Sequence, residues 1–249
     1  MEPRKIETGP FAGQRRLPEV WHEVRYYNRL YKYRISSTQT DRAWLANPEE
    51  AEEFIIYLPP SNYRQLLEVN GVLWCWTSEG EIHYLTSLLK NNKTQTPWVK
   101  LPVYFQGGFG FSVTYTPLSR NFNENTYPMV TLICPQTVWR FYPTERSVKL
   151  VTFNSHSLQE HTATLISPER LIVIGGRKTS PDGFYREWSQ RLYQFNPVTS
   201  KWVAWSKLRY EPRRLGQSKI EDEYIVLFGG LGPDGEPVES QRFTLSKQR

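Results

Sequence analysis

Two apolar runs that stop on paired glycines constrain this 249-residue chain more than any other feature. Leu171-Ile172-Val173-Ile174 leads into Gly175-Gly176, and Tyr224-Ile225-Val226-Leu227-Phe228 leads into Gly229-Gly230. Gly71–Trp76 and Met129–Cys134 are weaker versions that lack the diglycine. A second series is more regular: Tyr31, Tyr84, Trp139, Tyr193 and Phe243 each sit in a short alternating segment, at a period of roughly 50–55 residues. Arg191-Leu192-Tyr193-Gln194-Phe195 and Arg29-Leu30-Tyr31-Lys32-Tyr33 are nearly the same sequence. Self-similarity at that period predicts a repeat of small strand-built units, since helical periodicity is scarce and Pro and Gly punctuate the runs.

Within each copy the pattern predicts an alternating strand, a continuous buried strand, a second alternating strand and an outer strand. In the fourth copy these fall at 162–167, 170–175, 191–196 and 201–206. This unit resembles the kelch repeat through Gly175-Gly176, Phe195, Pro197 and the outer-strand Trp202. The fifth copy retains Gly229-Gly230, and the second and first offer Trp98 and Trp44 at the outer position, where the third has Val148. The resemblance is specific over about 170–245. It implies an all-β, kelch-like β-propeller of five blades with four strands each, occupying residues 1–249 as a single domain. Trp202 is then expected to be buried between blades. The fifth copy ends without an outer strand, and the first is expected to open on its second strand near residues 20–24. Residues 1–18 are therefore either a strand that closes the ring or a tail.

Composition removes several function classes. No stretch reaches the roughly 18 apolar residues of a membrane helix. The segment MEPRKIETGPFAGQRR lacks the apolar core of a signal peptide. Cys75 and Cys134 are too few for a disulfide framework and lie within apolar runs, so they are expected to be buried thiols in a reducing, intracellular and cytoplasmic setting. The formal net charge of +6 favours acidic partners. His156 and His161 lie near one another but without a Cys or carboxylate motif, so solvated or capping roles are expected and no metal is predicted. His83, inside a strand, is expected to be a satisfied core or interface residue. Gly107-Gly108-Phe109-Gly110 precedes an alternating strand, not a helix, and is not a phosphate loop. No cofactor or small-molecule substrate is indicated, and the chain reads as a non-enzyme.

Specificity in such a fold belongs to connections. The long second-to-third-strand connections Arg177–Gln190 and Leu231–Ser240 share one face with the connections between blades. That face is expected to present Tyr63, Arg64, Tyr104, Phe105, Arg177, Tyr185, Arg186, Trp188, Arg213 and Arg214, with Lys178, Arg209 and Tyr210 beside them. Arg with Tyr and Trp is the composition of interface hot spots. The opposite face carries the polar 86–97 connection. The leading expectation is a protein-binding module or scaffold, a subunit of a larger assembly, that binds an acidic protein through the long-loop face. RNA or ribonucleoprotein binding and a lectin or enzyme using the central pocket are the alternatives.

Overall fold

The computed structural model describes residues 21–26, 29–34, 42–46, 53–86, 98–117, 128–179, 186–207 and 211–244. Those residues form antiparallel sheets and no helix. The first sheet contains β1 (Trp21–Tyr26), β2 (Arg29–Arg34), β3 (Arg42–Ala46) and β4 (Glu53–Tyr57). The second contains β5 (Arg64–Val69), β6 (Val72–Thr77), β7 (Glu81–Leu85) and β8 (Trp98–Tyr104). The third is built from β9 (Ser112–Thr116), β10 (Met129–Ile133), β11 (Thr137–Tyr142) and β12 (Ser147–Phe153). After β13 (Leu158–Gln159), the fourth sheet begins with β14 (Thr162–Ser167) and β15 (Arg170–Ile174). The chain then makes a hairpin of β16 (Arg177–Thr179) and β17 (Arg186–Trp188), and completes the sheet with β18 (Arg191–Asn196) and β19 (Lys201–Lys207). The fifth has β20 (Gln217–Glu221), β21 (Tyr224–Phe228) and β22 (Gln241–Thr244). In the five sheets each strand pairs with the one before it, except that β18 joins β15 across the β16–β17 hairpin, which forms a separate small sheet with β13.

The fourth sheet matches the sequence expectation to within a residue, and the second, third and fifth place their strands as expected. The first sheet is a correction. Residues 21–26 are its first strand rather than its second, because β1 packs beside β5, the first strand of the next sheet. Tyr31 therefore lies on a second strand and Trp44 on a third, each one strand earlier than expected. Segments on second and third strands can share a sequence pattern because both bury alternating aromatics. Tyr31 and Tyr33 on β2 are buried like Tyr193 and Phe195 on β18. The segment expected to close the ring, 1–18, lies outside the described residues, as does most of the 86–97 connection.

The continuous apolar runs are explained by position. β6, β10 and β15 are buried nearly throughout, because each lies inside its sheet and is covered on both faces by neighbouring sheets. Trp74 and Trp76 meet Phe141 of the third sheet edge-to-face, with centroids 4.9 and 5.9 Å apart. Such pairs contribute about 0.5–1.5 kcal/mol beyond area burial. Ile133 and Val138 pack with Leu171, Val173, Tyr193 and Phe195, and Ile172, Ile174 and Leu192 pack with Ile225 and Leu227. Trp202, opposite Phe195 on β19, is half-buried rather than buried; it covers this layer and stands 5.0 Å from both Phe195 and His156.

The diglycine bends have a specific steric cause. Gly176 has φ +80°, and a Cβ there would lie 2.3 Å from the Gln159 carbonyl oxygen and 2.9 Å from the His161 nitrogen. Its own N–H donates to Arg213 O at 2.8 Å. The end of the second strand is thus threaded between two connections that join successive sheets, a space too narrow for any side chain.

Candidate functional site

The first strands β1, β5, β9, β14 and β20 line one cavity of about 430 Å³. At the end where the connections between sheets enter, a belt of hydrogen bonds crosses all five. Tyr33 OH donates to Gln65 Oε1 at 3.2 Å, and Gln65 Nε2 donates to Tyr63 OH at 2.6 Å. Tyr63 OH donates to Phe111 O at 2.8 Å. Ser112 Oγ and His161 Nε2 are hydrogen-bonded at 2.9 Å, as are Thr162 Oγ1 and Ser218 Oγ at 3.0 Å. His22 Nε2 donates to Leu215 O at 3.0 Å, and Gln217 makes two bonds to the Glu23 backbone, which returns the belt to β1.

Burial sets the chemistry of this belt. Desolvation lowers His22 to a pKa of about 3 and His161 to about 4, so both imidazoles are neutral near pH 7. Ser112 and His161 have the spacing of a nucleophile and its base. An imidazole this weakly basic is mismatched to proton abstraction at neutral pH, and Ser112 is itself buried. The arrangement joins sheets; it is not poised for transfer chemistry. His161 was expected to be solvated or capping, and is instead buried because it directly precedes β14 at the cavity, bonded to Ser112. His83 is buried and bonded to Glu81 at 3.0 Å, the satisfied role expected of it. Among the described residues no cluster of His, Cys, Asp and Glu is placed to hold a metal.

The long-loop end is organised by Glu160. This buried residue, at φ +59°, accepts two bonds from Arg177 and one at 3.4 Å from Arg214 Nη1. Its N–H donates to Gly110 O at 2.7 Å, and its carbonyl accepts from Leu215 N at 2.8 Å. β16 reaches it because the β16–β17 hairpin pairs with β13, which belongs to the connection between the third and fourth sheets. The Arg177 guanidinium also lies 5.8 Å from the centre of the half-buried Trp188 ring.

The expected surface is therefore corrected in several places. Tyr63, Arg64, Phe105 and Arg213 are not presented to solvent; Arg64 and Arg213 are each 1 % exposed. Arg64 Nη2 donates to Ser61 O at 2.6 Å. Arg213 donates to Gly229 O at 3.1 Å and Glu239 O at 2.7 Å, tying down the loops around the second diglycine. Tyr63 belongs to the belt, and Phe105 packs edge-to-face on Phe111. Arg177 and Arg214 turn inward to Glu160. Arg186 is placed on β17, with its side chain outside the description, and Tyr185, Arg209 and Tyr210 fall outside the described residues. Tyr104 is exposed as expected, at 56 %.

Sequence reasoning named Tyr104 but missed the rest of the outer-strand surface. Val99 and Tyr104 on β8, Leu150 and Phe153 on β12, and Val203 on β19 are all exposed, Phe153 to 71 %. Tyr104 and Phe153 end neighbouring outer strands on the long-loop side. They flank a joint in which Thr137 Oγ1, opposite Phe153 in register, donates to Gln106 O at 3.3 Å. No local signal marked them: Val148, Leu150, Val151 and Phe153 of SVKLVTF read simply as strand, and it is the single neighbour of β12 that leaves Leu150 and Phe153 exposed.

No protein-family model matches the chain, and no curated protein matches it. Among solved structures, the one described as "Structure of YjhT" aligns with a TM-score of 0.57 at 12 % identity, covering 86 % of this chain and 73 % of that one. The chain shares the fold of that structure. Among the described residues no helix is long and apolar enough to cross a membrane.

Proposed function

We propose that this chain is a five-bladed, kelch-like β-propeller that acts as a non-catalytic protein-interaction module, a subunit or scaffold of a larger assembly. Five sheets whose first strands line one cavity, with hydrogen bonds returning from β20 to β1, support the propeller reading. The kelch reading rests on the diglycine bends of the fourth and fifth sheets.

The observation that carries the interaction reading is where the apolar surface lies. Among the described residues, five of the seven exposed large hydrophobic side chains (Val99, Tyr104, Leu150, Phe153 and Val203) are on outer strands, whereas the polar groups at the belt end of the cavity are spent on one another. Exposed aromatic side chains beside basic ones suit a partner with apolar anchors and acidic flanks. Arg64, Arg177, Arg213 and Arg214 are not the contact set, because Glu160 and backbone carbonyls already engage them. Tyr104 and Phe153 take that place.

The test is capture of a protein from native extract, purification of it, and rebinding to the Tyr104→Asp and Phe153→Asp variants. Rebinding that weakens in both variants supports the reading. Failure to recover any protein that rebinds in purified form overturns it. RNA binding with a steep salt dependence, about 0.7–0.9 in logarithmic slope per phosphate contact, would transfer the function to nucleic acid.

A further inference from the structure

An outer strand presents unpaired backbone N–H and C=O groups, and proteins ordinarily guard such edges with proline, lysine or a bulge. Here the guarding is unequal. β8, β12 and β19 each carry the extra residue or residues of a register shift, Val151 in β12, so the bulge does not distinguish them. β8 carries Pro102, which has no N–H, in addition to Lys100. β19 is bracketed by Lys201 and Lys207. β12 has Lys149 alone, no proline, and shows Leu150 at 42 % and Phe153 at 71 % exposure. β12 pairs with β11 on one side, and β8 of the neighbouring sheet approaches it without pairing.

The surroundings of β12 carry uncompensated positive charge. Lys149 has no ion-pair partner among the described residues. Arg140, opposite it in register, gives its guanidinium to neutral acceptors, Ser200 Oγ at 2.7 Å and the Pro197 and Val198 carbonyls. Arg146 lies 4.8 Å from the Tyr84 ring centre and donates to Tyr84 OH at 3.4 Å. Among the described residues the acid next to this edge is Glu145, which accepts from Ser147 Oγ at 3.1 Å. Among the described residues, three cations thus stand about the edge beside one carboxylate.

We infer that β12 is a strand-addition site for an extended acidic segment of a protein partner. Pairing runs along Ser147–Leu150, before the register shift, where backbone hydrogen bonds supply affinity. Carboxylates of the incoming strand meet Lys149, Arg140 and Arg146, and its apolar residues cover Leu150 and Phe153. A second copy of this chain is a poorer occupant, because it would bring the same cations against themselves. The inference rests on the interaction-module reading and names the partner's chemistry.

The probe is an alternating glutamate–valine peptide of about seven residues, a normal strand length. At saturating peptide, amide hydrogen exchange should slow at residues 147–150. Lys149→Glu with Arg146→Glu should weaken binding about tenfold or more, with an unchanged melting temperature as the folding control. The lysine–valine peptide should not bind, and N-methylation of alternate peptide amides should abolish binding. Unchanged exchange at β12, or equal affinity for the double variant, overturns the inference. So does self-association that Phe153→Asp abolishes and the acidic peptide does not compete with. A purified protein partner that binds the wild type and the Lys149→Glu/Arg146→Glu variant alike also sinks the β12 site while leaving the interaction-module reading standing. Failure to recover any partner removes that reading instead.

Discussion

Arg177 grips Glu160 through two parallel hydrogen bonds, Nε to Oε2 and Nη2 to Oε1, each 2.6 Å long. The pair joins a residue from the connection between two sheets to one from inside the fourth sheet's long connection. Arg177→Ala leaves a buried carboxylate with Arg214 as its remaining ion-pair partner among the described residues. Loss of one partner from a buried ion pair costs about 3–5 kcal/mol, so urea unfolding should show a decrease of that order. Adding Glu160→Gln should restore part of it by removing the stranded charge. A double variant no more stable than Arg177→Ala would show that the guanidinium matters for packing rather than charge.

Gly176 and Gly229 make a paired test of the bend. Both have positive φ, but a Cβ at Gly229 meets nothing within 4 Å, whereas at Gly176 it meets backbone. Gly229→Ala should cost about 1–2 kcal/mol, the conformational term for a left-handed residue. Gly176→Ala should cost clearly more, because the clashing atoms are main chain and cannot rotate away. Equal shifts in the denaturation midpoint would contradict the close approach.

Stability should fall as the solution is acidified from about pH 6.5 to 4. His22 and His161 have folded pKa values of about 3 and 4, below the 6.5 of the unfolded chain. Unfolded chains therefore bind protons that folded ones refuse, and each histidine contributes stability that is present above pH 6.5 and lost as pH drops. The slope approaches about 1.4 kcal/mol per pH unit for each. Glu79, Glu81 and Glu221, also held below their usual range, add a loss of the same sign only below about pH 4.5. Unfolding free energies measured at intervals across this range should show a flatter curve in a folded His22→Gln, His161→Gln variant; an unchanged slope would assign the acid sensitivity elsewhere.

Both thiols should be silent in the native protein. Cys75 and Cys134 are fully buried, and desolvation pushes Cys75 up to about 12 and Cys134 higher still. Reaction with a thiol-specific disulfide reagent should be negligible in native buffer and reach two equivalents in guanidinium. Rapid native labelling at either position would mean that β6 or the end of β10 opens readily.

Strand identity was legible wherever burial follows from local pattern. The run 171–174 is apolar without interruption and proves to be an inner strand covered on both faces; 191–196 alternates and pairs beside it. The same reasoning misplaced the first sheet by one strand, because the Arg29–Tyr33 pattern fits either a second or a third strand. What separates them is the neighbour of β1, a contact with a strand some forty residues away in sequence.

The sequence by itself determined the strands of the second to fifth sheets and the need for glycine at the bends, because these depend on alternation and steric size along a few consecutive residues. Only the tertiary structure decided the fate of the charged loops. Arg64 and Arg213 look like surface residues in a polar stretch, yet the close approach of successive sheets buries them against backbone carbonyls. Arg177 and Arg214 look like a binding patch, yet the β13–β16 pairing brings them onto Glu160. The exposed edge at β12 emerges for the same reason: whether a strand is outermost depends on what the rest of the chain leaves beside it, and no local pattern encodes that.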